Sequence, residues 1–246
     1  MRLKDKVAII TGASRGIGKA IAIGFAQEGA NVTLAARTRP ELDAVAEEIQ
    51  TLGQGSAPRT LVVPTDVTVE DQVKAMVQAT METFGRIDIL VNNAGVGAFR
   101  PAYGTPLKTW EWIMSINATS TFLCTKHVWK PMRKSGGGSI INISSLSGTR
   151  IYPMYSAYSA SKWAQLGFTK VTAEEGKPAN IRVNALAPGK VDTPMRENVS
   201  EDKARMLKAE DCVPPVVFLA SEEARWITGQ VIELEWFGAE LPSSMI

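Results

Sequence analysis

Tyr158 and Lys162 stand four positions apart in the stretch YSASK, residues 158–162. On a helix, positions i and i+4 share a face, so a phenol and an amine at this spacing reach one small volume. A free phenol titrates near ~10 and a free lysine near ~10.4. A neighbouring ammonium favours phenolate and lowers the phenol's pKa. The tyrosine then becomes a usable proton donor or acceptor at neutral pH. A solvated helix face can carry the same spacing, so the pair alone does not decide the matter.

A second group of residues points to an anion. TGASRGIG, residues 11–18, follows the β-branched run KVAIIT and opens a helical pattern. Gly12, Gly16 and Gly18 give the spacing G-x-x-x-G-x-G, with Ser14, Arg15 and Ile17 between them. Glycines in a strand–loop–helix setting allow a tight turn and close approach of the backbone to a pyrophosphate. The helix N-terminus offers unpaired N–H groups and the positive end of its dipole. In dinucleotide folds an acidic residue about 20 positions on commonly binds the ribose 2′-hydroxyl. Here the second strand ends Ala35-Ala36-Arg37, so a small side chain and then a guanidinium take that place. Arg15 is a second guanidinium, inside the loop itself. Guanidinium binds phosphate bidentately and stacks on purines, which favours NADP(H) over NAD(H). Two solvated surface arginines are the competing reading.

These groups need elements to position them. Short apolar runs at 6–11, 31–36, 60–65, 87–92, 139–144, 181–187 and 229–234 read as strands. Their near-continuous apolar character suits strands buried on both faces. Helical spacing fills the intervals: 16–29, the stretch after Pro40 with Leu42, Val45, Ala46 and Ile49, 69–84, about 107–133, 155–176 and 214–221. Such alternation predicts an α/β protein with a doubly wound seven-stranded parallel sheet and helices on both faces, a Rossmann fold. No internal repeat or linker interrupts residues 1–246, so a single domain is expected.

Composition narrows the function. The chain is 45% hydrophobic and 21% charged, with a formal net charge of +2. That is ordinary globular composition without the basic footprint of a nucleic-acid binder. No stretch approaches the ~20 apolar residues of a membrane span, and the first twelve residues lack a signal-peptide pattern. Two cysteines, Cys124 and Cys212, make no disulfide framework, and His127 is the single histidine. No metal site is expected, and the chain reads as a cytoplasmic protein with reduced thiols.

In this context the residues resemble the short-chain dehydrogenase/reductase family, nearest to its 3-oxoacyl-(acyl-carrier-protein) reductase branch. The matches are TGASRGIG (11–18), Asp66-Val67, NNAG (92–95), Asn117, Ser144-Ser145, YSASK (158–162) and PGKVDT (188–193), in the family's order. The resemblance implies reduction of a small-molecule carbonyl, or oxidation of an alcohol, by hydride transfer. It implies Tyr158 as acid/base, Ser145 as hydrogen-bond donor to the carbonyl oxygen, and Lys162 as ligand of the nicotinamide ribose. Asn117 would kink its helix and anchor a water leading to Lys162. Asp66 and Val67 would contact the adenine, and Asn93, Ala94 and Gly95 the adenosine side. Pro188, Gly189, Val191 and Thr193 would hold the nicotinamide carboxamide. A homodimer or homotetramer is implied as well.

Other residues have plainer expectations. Tyr152 and Tyr155 are expected as pocket wall or surface, with Tyr152 a candidate substrate contact. His127 is expected at the surface or an interface, and Cys124 as a packed apolar group. Trp110, Trp112, Trp129 and Trp163 lie on or beside helices that family members use for dimer contacts, and burial in the chain's own core is equally open. Two departures from the family stand out. The chain passes from PGKVDTP to VVFLAS in few residues, so about 194–212 should form a short or mobile lid. Trp236 and Phe237 stand where the family usually has Gly-Gly, which bears on a tetramer. Besides a reductase, the residues leave open a non-catalytic NADP-binding regulator and a lyase or epimerase with transient use of the cofactor.

Overall fold

Val7–Thr11 is β1, and all five of its residues are buried. Its odd and even side chains serve two different cores. Ala8 and Ile10 join one cluster with Phe25, Leu42 and Val216, while Ile9 joins another with Val73, Leu123 and Val128. A strand apolar on both faces requires helices on both sides. The computed structural model of the protein describes residues 1–51, 59–196 and 203–236.

The remaining strands are β2 Asn31–Ala36, β3 Thr60–Pro64, β4 Ile89–Asn92, β5 Gly138–Ile143, β6 Ile181–Pro188 and β7 Val231–Leu234. They form one sheet in the order β3-β2-β1-β4-β5-β6-β7, and every pairing is parallel. The predicted seven-stranded doubly wound sheet is therefore the fold. From β1 the strands are added outward on one side as β2 and β3 and then on the other from β4 onward, and in open α/β sheets ligands bind outside the strand ends at such a switch point.

The helices are α1 Gly16–Gln27, α2 Arg39–Thr51, α3 Glu70–Phe84, α4 Leu107–Met114, α5 Ser120–Lys134, α6 Ser156–Gly176 and α7 Val213–Ala220. α1, α2 and α7 supply buried side chains to the first core cluster, and α3, α5 and α6 to the second. The helical stretch expected over 107–133 is not uniform. A π-helical turn at Ser115–Thr119 separates α4 from α5 and has Asn117 at its centre. Ser120 and Thr121 hydroxyls donate to the carbonyls of Ile116 and Asn117, at 2.5 and 3.0 Å. Such back-bonding competes with the regular ladder, and it lies in the turn where the resemblance implied a kink at Asn117.

Between β6 and α7, the described residues form short 3₁₀ turns at Pro194–Arg196, Lys203–Arg205 and Ala209–Cys212. Residues 197–202 of the expected lid, and Phe237 beyond β7, lie outside the described residues. Trp236 is exposed after β7. Among the described residues, no helix is long and apolar enough to cross a membrane.

Candidate active site

The glycine loop leaves β1 through Thr11 and turns at Gly12, whose φ of 65° lies in the left-handed region, as does Gly16 at 55°. Glycine adopts this conformation without steric cost. Gly18 is required for a different reason: a Cβ there would stand 2.2 Å from the Gly12 carbonyl oxygen and 2.3 Å from Asn93 Nδ2. α1 begins at once, with Arg15 in the capping position, no capping bond from its side chain and no acid in the first turn. The first N–H groups of α1 therefore lack a side-chain cap or a local carboxylate, which fits a loop that receives an anionic ligand. Ser14 and Ile17 are half-buried in this loop, and Arg15 is exposed.

Thr11 ties the loop to the next segment. Its hydroxyl accepts from the backbone N–H of Asn93 at 3.0 Å and of Ala94 at 3.1 Å. Asn93 Nδ2 donates to the carbonyls of Thr11 and Gly12, at 2.9 and 3.1 Å. Asn93, Ala94 and Gly95 are thus fixed against the glycine loop. On the far side, Thr193 reaches the same loop: a Cβ on Gly16 would lie 3.3 Å from Thr193 Cγ2. Pro188 ends β6, and the Gly189 N–H donates to Leu234 O at 2.7 Å. Val191 is buried beside Leu207. The sequence-predicted segments 12–18, 93–95 and 188–193 therefore converge on the C-terminal ends of the strands.

Arg37 follows β2 and is exposed, and Asp66 follows β3. The Asp66 carboxylate accepts from the Thr68 backbone N–H at 2.9 Å and from the Thr68 hydroxyl at 2.7 Å. Partial burial pushes this carboxyl up, but the Thr68 bonds and the nearby Arg37 charge outweigh it and leave the pKa below its ordinary value. Val67 is buried beneath. Arg37 and Asp66 thus share one corner, at the β2–β3 end of the site.

α6 places Tyr158 and Lys162 one turn apart, as the spacing predicts, and both are buried. The Lys162 ammonium stands 5.8 Å from the Tyr158 ring centroid. It donates to Ile143 O at 2.9 Å and to Gln165 Oε1 at 3.4 Å. Burial lowers its pKa to about 8. Ser145 is in extended conformation at the end of β5, where its hydroxyl accepts from Ser147 N–H at 3.1 Å. The turn it begins packs directly on α6: a Cβ on Gly148 would lie 3.1 Å from the Lys162 carbonyl carbon. Ser144 is buried below and donates weakly to Lys162 O at 3.4 Å. Asn117 is fully buried. Its Oδ1 accepts from Val96 N–H at 2.8 Å, and its Nδ2 donates to Val96 O and to Ser161 Oγ, both at 2.9 Å. Gly95 lies between Asn117 and Lys162, with its absent Cβ 3.5 Å from Asn117 Oδ1 and 3.7 Å from Lys162 Nζ.

An aromatic wall adjoins Tyr158. Phe99 packs on Tyr155 at 4.4 Å between centroids and meets Tyr158 edge-on at 6.1 Å. Tyr152 lies 5.8 Å from Tyr155. Phe99, Thr11, Thr121 and Gln165 were not singled out in the sequence. Thr11 has a local signal in its position before the first glycine, and Gln165 has one as a polar residue on the buried face of α6. Phe99 has no local signal. His127 receives or donates at Glu70 across 2.8 Å, far from these groups. Cys124 is buried, with its thiol pushed up to about 12. Among the described residues no cluster of His, Cys, Asp or Glu could hold a metal ion.

Residues 6–204 match the short chain dehydrogenase family. The protein belongs to that family. As a short-chain dehydrogenase it is an oxidoreductase of carbonyl–alcohol pairs that uses a nicotinamide cofactor. It is 38% identical over 245 residues to the 3-oxoacyl-(acyl-carrier-protein) reductase FabG of Thermotoga maritima, covering 96% of this chain and 98% of that one. A short-chain type dehydrogenase/reductase from Mycobacterium marinum superposes with a TM-score of 0.90 at 35% identity, over 98% of this chain and 97% of its own. Levodione reductase superposes with a TM-score of 0.90 at 32% identity, over 95% and 97% of the two chains.

Proposed function

We propose that this short-chain dehydrogenase is an NADPH-dependent carbonyl reductase, or the reverse alcohol dehydrogenase, with Tyr158 as its acid/base. The observation that carries the reading is the buried Tyr158–Lys162 pair on α6, beside the Ser145 turn and facing the strand ends where the glycine loop lies. When bound, the nicotinamide supplies or accepts the hydride. The chain's residues manage the charge that hydride transfer leaves on the carbonyl oxygen. The Ser145 hydroxyl donates a hydrogen bond to that oxygen, and the Tyr158 phenol donates a second bond and then its proton. The Lys162 ammonium stabilises the phenolate left behind. Asn117 fixes the 95–96 segment against α6 and anchors a water toward Lys162.

Cofactor residues follow the same division. Gly12, Ser14, Arg15, Gly16, Ile17 and Gly18 hold the pyrophosphate on the α1 N-terminus, with Asn93, Ala94 and Gly95 at its side. Asp66 and Val67 border the adenine, while Lys162, Pro188, Gly189, Val191 and Thr193 border the nicotinamide end. Arg15 and Arg37 bind the 2′-phosphate, which gives NADPH its preference over NADPH's unphosphorylated counterpart. Phe99, Tyr152 and Tyr155 offer an apolar face next to the proton donor, which suits ketones with a flat or cyclic body. The names of the relatives span an acyl-thioester reductase and levodione reductase, so both substrate types belong in the test. The enzyme works as a cytoplasmic homo-oligomer. NADPH and NADH oxidation over 3-oxoacyl thioesters, diketones, quinones and cyclic ketones tests the reading. NADPH-selective turnover is expected, and no turnover on any carbonyl despite NADPH binding refutes it.

A further inference from the structure

Beneath the active-site lysine runs a chain of buried hydrogen bonds with a fixed direction. Lys162 is 4% exposed and Gln165 is 1% exposed. The ammonium has three donors and no acceptor, so the atom of Gln165 that faces it must be the carbonyl oxygen. The amide nitrogen is then turned to Thr121, whose hydroxyl it reaches at 3.0 Å. Thr121 passes its own proton on to the carbonyl oxygen of Asn117 at 3.0 Å. From the Asn117 side chain the path returns to α6: Nδ2 donates to Ser161 Oγ, and Ser161 donates to Tyr158 O at 2.7 Å. Two runs of hydrogen bonds, joined through the covalent frame of Asn117, thus link Lys162, Gln165 and Thr121 on one side with Ser161 and the backbone of Tyr158 on the other. Bonds aligned donor to acceptor polarise one another, and in a dry interior such a network holds its members in one geometry.

Gln165 is the element of these runs that touches the ammonium. Its oxygen and Ile143 O accept from the Lys162 ammonium. The groups around the ammonium are otherwise without charge: the Tyr158 ring on α6, the Asn117 amide in the π turn, Gly95 from the β4 loop and the β5 carbonyl. No carboxylate among the described residues forms an ion pair with it. The amide oxygen of Gln165, at 3.4 Å, is the side-chain hydrogen-bond acceptor that faces its charge, beside the Tyr158 ring at 5.8 Å.

We propose that Gln165 is a positioning residue for the reaction, holding the Lys162 ammonium charged and in place and coupling it through Thr121 to the π turn at Asn117. The inference rests on the reductase reading above. Removing the amide oxygen makes the buried ammonium lose its proton at lower pH, and Tyr158 then loses the charge that stabilises its phenolate. A hydrogen bond to a charged group corresponds to roughly a tenfold or greater change in rate when lost.

The test is the pH profile of kcat for carbonyl reduction in wild type, Gln165→Leu, Gln165→Glu and Thr121→Val. Gln165→Leu is expected to lower kcat about tenfold and to move the alkaline limb to lower pH. Gln165→Glu keeps an acceptor and adds a counter-charge, so its limb moves to higher pH. Thr121→Val, which leaves the Lys162 contact intact, is expected to move the limb in the same direction as Gln165→Leu but less. An alkaline limb that stays at its wild-type pH in the folded Leu or Glu variant overturns the proposal, and the Glu variant carries the test where the Leu variant does not fold. Wild type without carbonyl turnover defeats the reductase reading instead, so the two failures are distinct.

Discussion

In the proposed mechanism Lys162 serves chemistry at the expense of the fold. Its ammonium is buried and its pKa is lowered to about 8, against ~10.4 for a free lysine. Below pH 8 both folded and unfolded chains bind the proton, and the whole cost of burying the charge is present. Between about 8 and ~10.4 the unfolded chain binds more protons, so this group makes stability rise with pH across that window. The difference corresponds to about 3 kcal/mol at neutral pH. Lys162→Met should therefore lose turnover yet raise Tm at pH 7 without cofactor, by about 1–3 kcal/mol in stability once the lost bonds to Ile143 and Gln165 are set against the gain. Thermal unfolding at pH 7 checks this, and a lower Tm contradicts it. At the other end of the site, Arg37→Ala should weaken NADPH about tenfold or more and leave NADH nearly unchanged. Fluorescence titration of the two cofactors reads the difference, and equal losses refute the 2′-phosphate assignment. Tyr158 and Lys162 were legible because one helical turn relates them. Gln165 carried only its polar character on an otherwise buried helix face, and Thr121 carried no signal, since their pairing depends on α5 meeting α6.

The strands and most helices could be read directly, because apolar runs between turn residues leave few alternatives. β7 is an example: Val231–Leu234 lies within the expected 229–234. The π turn could not be read, because it is made by hydroxyl back-bonds and the Asn117 amide rather than by hydrophobic spacing. The same helices carry an unabsorbed surface. Trp112, Phe122, Trp163 and Val171 on α4, α5 and α6 are each at least two-fifths exposed, and Phe122 meets Phe168 edge-on across the α5–α6 seam at 6.3 Å. This face fits the homo-oligomer expected from the family. A Phe122→Glu, Val171→Glu double variant should shift the chain toward monomer in sedimentation velocity. An unchanged sedimentation coefficient, with wild type oligomeric, moves the interface elsewhere.

At the scale of the whole molecule, the sheet order carries the function. The switch point between β1 and β4 opens a crevice at the strand ends, and residues as distant in sequence as Gly16 and Thr193 meet there. The β2–β3 corner holds Arg37 and Asp66, while α6 and the β5 end hold Tyr158, Lys162 and Ser145. The residues proposed for cofactor discrimination and those proposed for proton transfer thus lie in separate parts of the site, and changes in one set should leave the other measurable. This convergence was expected from the resemblance to the family, which the ordered motifs carry. The aromatic wall of Phe99, Tyr152 and Tyr155 was not foreseen as a unit, because Phe99 comes from the loop after β4 and the tyrosines from the approach to α6.

The most direct measurement is NADPH oxidation, followed at the nicotinamide absorbance, by wild type and Tyr158→Phe on the same carbonyl, with NADPH affinity determined for both. Loss of nearly all turnover with NADPH binding intact is the expected result. Full turnover in the phenylalanine variant would contradict the assignment of Tyr158 as the acid/base.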